Sequence, residues 1–113
     1  MIGLRYAIAG FGALVALYTL ALVPQHGINF PGVFVHDLLA VNWRGQFNLD
    51  FAGYLALSAL WIAWRGAFSR VAIALALLAS VGGLLVLAPY VWIASVRAAG
   101  DPRRLLLGVH ADT

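Results

Sequence analysis

The chain has 113 residues, of which 64% are hydrophobic and 10% charged, with a mean hydropathy of +0.94 and a net charge of +3. A soluble domain of this length buries only about 60–70% of its chain surface, so lipid is the expected solvent for the apolar excess. The chain contains no cysteine, which excludes disulfides, thiolate chemistry and cysteine-bound metal sites.

The first apolar run, residues 4–23, is predicted to be a transmembrane helix, because at about 1.5 Å per residue it can cross a hydrocarbon core of about 30 Å. A signal peptide is the alternative, since Arg5 supplies a basic start. The run exceeds the usual signal-peptide core of about 7–15 residues, and no small-residue cleavage site precedes Pro24. We therefore expect a retained helix that ends at Pro24.

The connection from Gln25 to Asp50 is the longest segment that is not expected to be buried in lipid. Within it, residues 31–40 are too short to cross a membrane. Pro31 favours a helix start there, and an apolar stripe lies beside His36 and Asp37. This pattern predicts a short interfacial or re-entrant helix.

Two further spans are predicted, over residues 47–65 and 71–96, with a tight connection between them. The third span contains Gly82-Gly83 and Pro89, and we expect Pro89 to kink the helix or to end its regular part. Residues 98–113 are expected to form a loose or surface-lying tail.

The predicted fold is therefore all-α: one membrane domain over residues 1–113, with three transmembrane helices and a short helix in the first connection. Aromatic residues are expected to form two interfacial belts, Trp61, Trp64, Phe68 and Tyr6 at one edge and Trp43, Phe47, Phe51, Tyr90 and Trp92 at the other. Small residues recur at spacings of three and four in each span, which favours close helix packing. They are Ala9, Ala13 and Ala16, then Ala52, Ala56, Ala59 and Ala63, then Ala72, Ala76, Ala79 and Gly83.

All seven basic residues are arginines, and they lie at the ends of apolar runs, which is typical of membrane flanks rather than of a nucleic-acid surface. Three spans place three arginines on the side of the N-terminus and four on the other, so the count does not decide the orientation. The basic start of the first helix favours a cytoplasmic N-terminus and an opposite C-terminus. The expected location is the inner (plasma) membrane.

The residues suited to chemistry form a candidate polar cluster, namely His26, His36, Asp37, Arg44, Asp50, Tyr54 and Arg97. Asp50 heads a polar stripe with Tyr54 and Ser58, so it is a candidate proton or cation site. The alternative is structural: Asp50 caps the second span and pairs with Arg97 or Arg44.

No metal site, cofactor or catalytic residue is predicted. Two histidines and a carboxylate can bind a divalent metal, but the spacing of His26, His36 and Asp37 matches no standard ligand pattern. A phosphate-binding glycine loop and a nucleophile–base pair are also absent from the sequence.

The segment His26-Gly27, Pro31, Phe34-Val35-His36-Asp37-Leu38 and Ala40, with Asp50 opening the next span, resembles a family of small bacterial three-helix membrane proteins. That family (the 2834 family) is known only as a domain of unknown function. Pro89-Tyr90 and Arg97 are similar to its last helix. The resemblance implies three spans and a bacterial inner membrane, and it implies no activity.

Three functions follow as hypotheses. The first is a non-enzymatic accessory or scaffold subunit, in contact with the lipid bilayer and with other membrane proteins or copies of itself, because three helices bury few faces. The second is a homo-oligomeric transporter or channel with a polar path at Asp50, Tyr54 and Ser58. The third is a membrane-embedded lipid or isoprenoid enzyme that uses His36, Asp37 and Asp50.

Overall fold

The computed structural model describes residues 2–27 and 30–112, apart from the side chains of His26 and Asp112, and these ranges contain helices and no strand. The all-α prediction is confirmed. The helices are α1 (Ile2–His26), α2 (Phe30–Leu39), α3 (Trp43–Arg65), α4 (Arg70–Gly82), α5 (Leu84–Arg97) and α6 (Pro102–Leu107), followed by a 3₁₀ helix over Gly108–Asp112.

Among the described residues, one helical segment, Ile2–Gln25 of α1, is long and apolar enough to cross a membrane. None of its most apolar window is buried by the rest of the chain, so α1 is not a core helix of this fold. Helix α3 has sufficient length, but its first two turns carry Arg44, Gln46, Asn48 and Asp50. The first predicted span therefore has support, whereas membrane crossing by the second and third stays a prediction.

Helix α1 continues through Pro24 and ends beside Gly27, so the prediction that Pro24 ends the helix is wrong. A proline in the last turn removes one backbone hydrogen bond, and the following residues can still complete the turn. The terminator is Gly27, whose φ of 73° lies in the left-handed region and whose N–H donates to the carbonyl of Val23 at 2.8 Å.

The predicted segment 31–40 is confirmed as a helix by α2. Helix α3 begins four residues before the predicted start at residue 47, because Asn42 caps it: the Asn42 side chain accepts a hydrogen bond from the N–H of Gly45 at 2.9 Å. The two helices lie against each other where Gly45 faces the carbonyl of Asp37, so closely that an added Cβ would collide with it.

The third predicted span is two helices, and the prediction of one long helix kinked at Pro89 is wrong. The break is at Gly83, with φ 58° and ψ −133°, a conformation that is open to glycine and strained for other residues. Pro89 lies inside α5, since its fixed φ suits a helix and its missing N–H removes a single bond.

Helix α5 turns back along α4 instead of continuing away from it. Gly83 lies opposite Leu55 and Phe51, partway along α3, whereas Tyr90 reaches Trp61 and Arg65 near the end of α3. Arg97 and Ala98 then line one cleft together with Arg65 and Gly66. Helices α4 and α5 therefore form an antiparallel helical hairpin. Neither helix alone, at 13 and 14 residues, is long enough to cross a bilayer core of about 30 Å.

The core between α3 and α4 consists mainly of alanine. Ala63, Ala76 and Ala79 are buried around Ile62, which is fully buried, and Val86, Leu87 and Tyr90 of α5 pack against this cluster. Ala72 is also buried, beside Gly66. Small side chains let the two helix backbones approach closely, as the alanine spacing predicts for this pair of helices.

The helices lie side by side in a row, and α1 is the outermost of them, packed along α5. The two ends of the row are the two levels along the helix axes at which the helices begin and end. The closest approach is at Gly12, where an added Cβ would meet the Cβ of Ala88 at 2.9 Å. Helix α1 ends only a few residues along the chain before α2 begins, and α2 packs on the first half of α3. The N-terminus of α1 therefore lies at the opposite end of the row. Helix α1 therefore runs antiparallel to α5, and Arg5 is level with the last turns of α5.

Residues 98–113 are not a loose tail in the part that the structure describes. Asp101 caps α6 by accepting from the N–H of Arg103 at 3.0 Å, and Pro102 occupies the first helical position. Leu105 is buried against Ala94 and Ala98, and Ala111 is also buried. We call residues 102–112 the tail segment; it is folded back on the ends of α3 and α5.

Replacing Gly83 with alanine should destabilise the hairpin, because a Cβ at this φ and ψ is strained by about 1–3 kcal/mol. The added Cβ has only an ordinary contact, 3.5 Å from Leu55, so the effect comes from the backbone. The free energy of unfolding, measured by denaturing-detergent titration, should fall by that amount.

Gly53→Ala is the matched control, because Gly53 lies within α3 and nothing lies within 4 Å of an added Cβ. It should leave the free energy of unfolding unchanged or raise it by up to about 1 kcal/mol. Equal effects of the two substitutions would contradict the reversal at Gly83.

Candidate functional site

The structure divides the predicted polar cluster between the two ends of the helix row. His36 and Asp37 lie on α2, and Arg44, Asp50 and Tyr54 follow on the adjoining half of α3. Arg97 lies in the last turn of α5, at the other end. The side chain of His26 is outside the described residues.

Asp50 does not have the structural role that the sequence offered as an alternative. The N-cap of α3 is Asn42, and Asp50 lies two turns inside the helix with an exposed side chain. Pairing with Arg97 is also wrong: Arg97 is beside Gly66, about 24 Å from Asp50 along α3. Within the described chain, no ion pair links Asp50 to Arg44; the one ion pair joins Arg104 to Asp101 at 3.8 Å.

Around α2 the contacts are those of helix packing. Asn48 donates to the carbonyl of Phe34 at 3.3 Å, and the cavity between α2, α3 and α4 has a mainly apolar lining that includes Phe34 and Phe51. No group of three or more His, Cys, Asp or Glu side chains that could hold a metal ion is found among the described residues.

The opposite end of the row, which we call the arginine end, collects six of the seven arginines. The end of α3, the start of α4, the end of α5 and the tail segment meet there, and the first turn of α1 is level with them. Its arginines are Arg5, Arg65, Arg70, Arg97, Arg103 and Arg104, whereas Arg44 alone is at the α2 end. The prediction of three arginines at one end and four at the other is wrong, because the α4–α5 hairpin returns the end of α5 to the side of Arg65.

The predicted aromatic belts change for the same reason. Tyr90 was expected at the edge opposite Trp61, but the two rings form an edge-to-face pair with centroids 5.9 Å apart. Trp92, two residues further along α5, lies towards the arginine end. Trp61, Trp64, Tyr90 and Trp92 therefore surround that end.

Arg65 joins α3, α5 and the tail segment. Its Nε donates to the carbonyl of Leu105 at 2.7 Å, one terminal nitrogen donates to the Tyr90 hydroxyl at 3.2 Å, and the other donates to the carbonyl of Arg104 at 3.3 Å. The guanidinium also lies near the Trp61 and Tyr90 rings, 5.9 and 5.7 Å from their centroids. Within the described chain, the charge of Arg65 is met by carbonyl dipoles and aromatic faces and not by a carboxylate.

Further contacts of Trp61 and His110 hold the tail segment on α3. The indole N–H of Trp61 donates to the carbonyl of Leu106 at 3.0 Å, and the His110 ring stacks on Trp64 at 4.2 Å with its Nε2 2.8 Å from the Trp64 carbonyl oxygen. Gly108, with φ 58°, lies directly on Arg65, where an added Cβ would collide with the arginine. The C-terminal carbonyls of α3 and α6 are thereby partly satisfied.

A cleft of about 380 Å³ opens between these elements, and Arg65, Arg97 and Arg104 all line it. The remaining lining residues are small or apolar: Gly66, Ala98, Gly108, Val109 and Ala111. No carboxylate is among the described residues that line the cleft. The cleft can therefore bind an anion, and it is the strongest candidate functional site among the described residues.

Sequence reasoning selected Arg97 of this site and missed Arg65 and Arg104. Two local signals were available. Gly82-Gly83 favours a reversal as strongly as Pro89 favours a kink, and Asp101-Pro102 is a typical helix start. The convergence of three arginines needed the tertiary fold, because they are 32 and 7 residues apart along the chain.

Comparisons with protein-family models, with curated proteins and with solved structures found no match. The resemblance to the 2834 family accordingly stays a prediction. The site must be interpreted from its own geometry.

Replacing Arg65 with glutamine should release the tail segment, because the shorter neutral side chain loses the bonds to Leu105, Tyr90 and Arg104. Hydrogen bonds to charged groups contribute about 1.5–3 kcal/mol each when buried, and these are only partly buried. Amide hydrogen exchange in residues 102–112 should rise about tenfold or more, as followed by mass spectrometry, while exchange in the α3–α4 core changes little.

Arg70→Gln is the control for charge. Arg70 is exposed at the start of α4 and has no hydrogen bond from its side chain to any described residue. Exchange in the tail segment that is as fast in Arg70→Gln as in Arg65→Gln would argue against the role of Arg65.

Proposed function

We propose that the protein is a non-enzymatic integral membrane protein that serves as a small accessory or scaffold subunit. The observation that carries the proposal is the distribution of side-chain size: the core is built mainly of alanine, and large apolar side chains point outward. Leu17, Leu57 and Leu77, on three different helices, are each 65% exposed.

Water is a poor solvent for such a surface. Exposed apolar area costs roughly 25 cal/mol per Å², and soluble monomers seldom expose a contiguous apolar patch larger than a few hundred Å². Lipid removes this cost and leaves close packing of small residues as the force between helices, which is the packing that α3 and α4 have. These observations support embedding in a membrane beyond α1 alone.

An accessory role is supported by the faces that the fold leaves open. Helix α1 packs along α5 and exposes the rest of its surface, including Leu14 and Leu20. The groove between α1 and α5 is apolar and includes Gly12, Ala13 and Ala16. Such a face admits another helix at short distance. The cavity between α2, α3 and α4, the groove between α1 and α5 and the cleft at the arginine end are not lined by His36, Asp37 or Asp50. This arrangement gives no support to the lipid-enzyme hypothesis.

We further propose that the arginine end faces the cytoplasm. Arginines in short loops and flanks favour the cytoplasmic side, and six of the seven lie at this end. In this orientation the N-terminal end of α1 and the tail segment both face the cytoplasm. The sequence-based expectation was a cytoplasmic N-terminus with the C-terminus on the opposite side. The α4–α5 hairpin enters from the cytoplasmic side and turns back at Gly83.

This orientation predicts a labelling pattern that single cysteines can measure, because the chain has none of its own. Val41→Cys, at a position that is 90% exposed at the α2 end, should react with a membrane-impermeant maleimide in intact spheroplasts. Ser69→Cys, between α3 and α4, should react only after lysis. The opposite pattern would contradict the orientation, and equal labelling of both before lysis would contradict embedding.

A homo-oligomeric transporter or channel is the second candidate, and one observation favours it. Asp50 is exposed and Tyr54 is 66% exposed on α3, with Ser58 half-buried behind them. A carboxylate that faces lipid costs up to about 2.5–3.5 kcal/mol at the membrane centre and less near the interface, and a second copy of the chain would cover it.

Native mass spectrometry in mild detergent separates the two candidates. An accessory subunit should carry a different protein at a fixed ratio, and Asp50→Asn should leave that ratio unchanged. A transporter should form a defined homo-oligomer that weakens in Asp50→Asn, whereas Arg44→Gln, which changes a neighbouring exposed charge at the same end, should not weaken it. A monomer without partner at every concentration would count against both candidates.

A further inference from the structure

The three arginines of the cleft lack the acidic partners that usually accompany converging cations. Arg97 has no hydrogen bond or ion pair to any residue that the structure describes, and Arg65 has no carboxylate partner there. Arg104 has Asp101 at 3.8 Å, but both side chains are about half exposed, so this pair is weak. The described cleft therefore carries uncompensated positive charge.

Helix geometry explains each of these arginines separately but not their meeting. Each lies in the last turn of a helix, Arg65 in α3, Arg97 in α5 and Arg104 in α6, where a cation interacts favourably with the helix dipole. The dipoles do not account for three such helix ends lining the same cleft. Like charges that are brought together repel, so the arrangement favours a bound anion.

The chemistry of the cleft selects the class of anion. A guanidinium group binds two oxygens of a phosphate in parallel, and several guanidinium groups together suit an anion with three or four oxygens. The other lining residues add no charge to the cleft: Gly66 and Gly108 have no side chain, and those of Ala98 and Ala111 are single methyl groups. The volume of about 380 Å³ leaves room for a phosphate with an attached group.

We infer that the arginine end binds a phosphate group in this cleft, with Arg97 and Arg104 as the direct ligands. Arg65 lies behind them: three of its N–H groups are used on Leu105, Tyr90 and Arg104, so it supplies charge and holds the tail segment that carries Arg104.

The phosphate has two possible sources, a lipid headgroup or a soluble phosphate. Trp61 and Trp64 lie beside the cleft, as aromatic residues do at a membrane interface, and basic pockets between helices on the cytoplasmic side take anionic headgroups. The lipid source rests on the proposed membrane embedding, whereas the binding of phosphate itself does not.

The test compares two double variants of the full chain that remove the same charge. Arg97→Gln with Arg104→Gln changes the two ligands. Arg70→Gln with Arg103→Gln changes two exposed arginines at the same end that do not line the cleft. Arg97→Gln alone is a further variant, because it keeps Arg104 and its contact with Asp101.

Binding is measured in two settings. In phosphatidylcholine nanodiscs that contain phosphatidylglycerol, native mass spectrometry counts the phosphatidylglycerol molecules retained per chain. In neutral detergent micelles, titration with inorganic phosphate is followed by the fluorescence of the tryptophans near the cleft and by calorimetry. Loss of charge-assisted bonds should weaken binding about tenfold in Arg97→Gln and further in the ligand double variant.

Preferential retention of phosphatidylglycerol that is lost in the ligand double variant and kept in the control supports the inference, with lipid as the source. Saturable binding of inorganic phosphate with the same dependence, and no preference among lipids, supports it with a soluble source. Absence of binding in both settings, or equal loss in the two double variants, overturns it. If the cysteine-labelling pattern contradicts membrane embedding, a lipid headgroup is excluded as the source of the phosphate. The titration with inorganic phosphate in micelles then decides whether the cleft binds phosphate.

Discussion

The backbone conformation at Gly83 is the steric constraint on which the rest of the arrangement depends. With φ 58° and ψ −133°, this residue allows the chain to leave α4 and start α5 in the reverse direction. The reversal brings Val86, Leu87 and Tyr90 back onto the alanine core of α3 and α4. It also provides the face of α5, around Ala88, on which α1 packs. A straight helix through this point would leave α1 and the tail segment without these partners.

The reversal determines where charge collects. Because α5 returns to the end of α3, its last turn and the tail segment meet Arg65, and six arginines share one end of the molecule. Arg65 can be held there without a carboxylate, since the free carbonyls of α6 and the aromatic faces of Trp61 and Tyr90 surround its guanidinium. This leaves Arg97 and Arg104 free of strong partners within the described chain, which is the physical basis of the anion site.

The accuracy of the sequence-based predictions differs between elements for identifiable reasons. The start of α2 near Pro31 and the α3–α4 alanine packing were predictable, because both follow from short-range pattern. The end of α1 and the continuity of the third run were predicted wrongly, because proline was weighted above glycine at Pro24 and Pro89, whereas Gly27 ends α1 and Gly83 separates α4 from α5. Capping by Asp50 was one of two interpretations of that residue, but Asn42, eight residues earlier, is the cap.

The sequence by itself determined the helical class, the apolar character of the surface and the lack of cysteine chemistry, because these depend on composition and on local periodicity. It also located most boundaries between helices to within a few residues. Only the tertiary structure decided which ends meet. Arg65, Arg97 and Arg104 belong to three helices, and their meeting in one cleft depends on the direction that the chain takes after Gly83. Hydropathy is nearly the same for a straight span and for a hairpin, so composition could not distinguish the two arrangements.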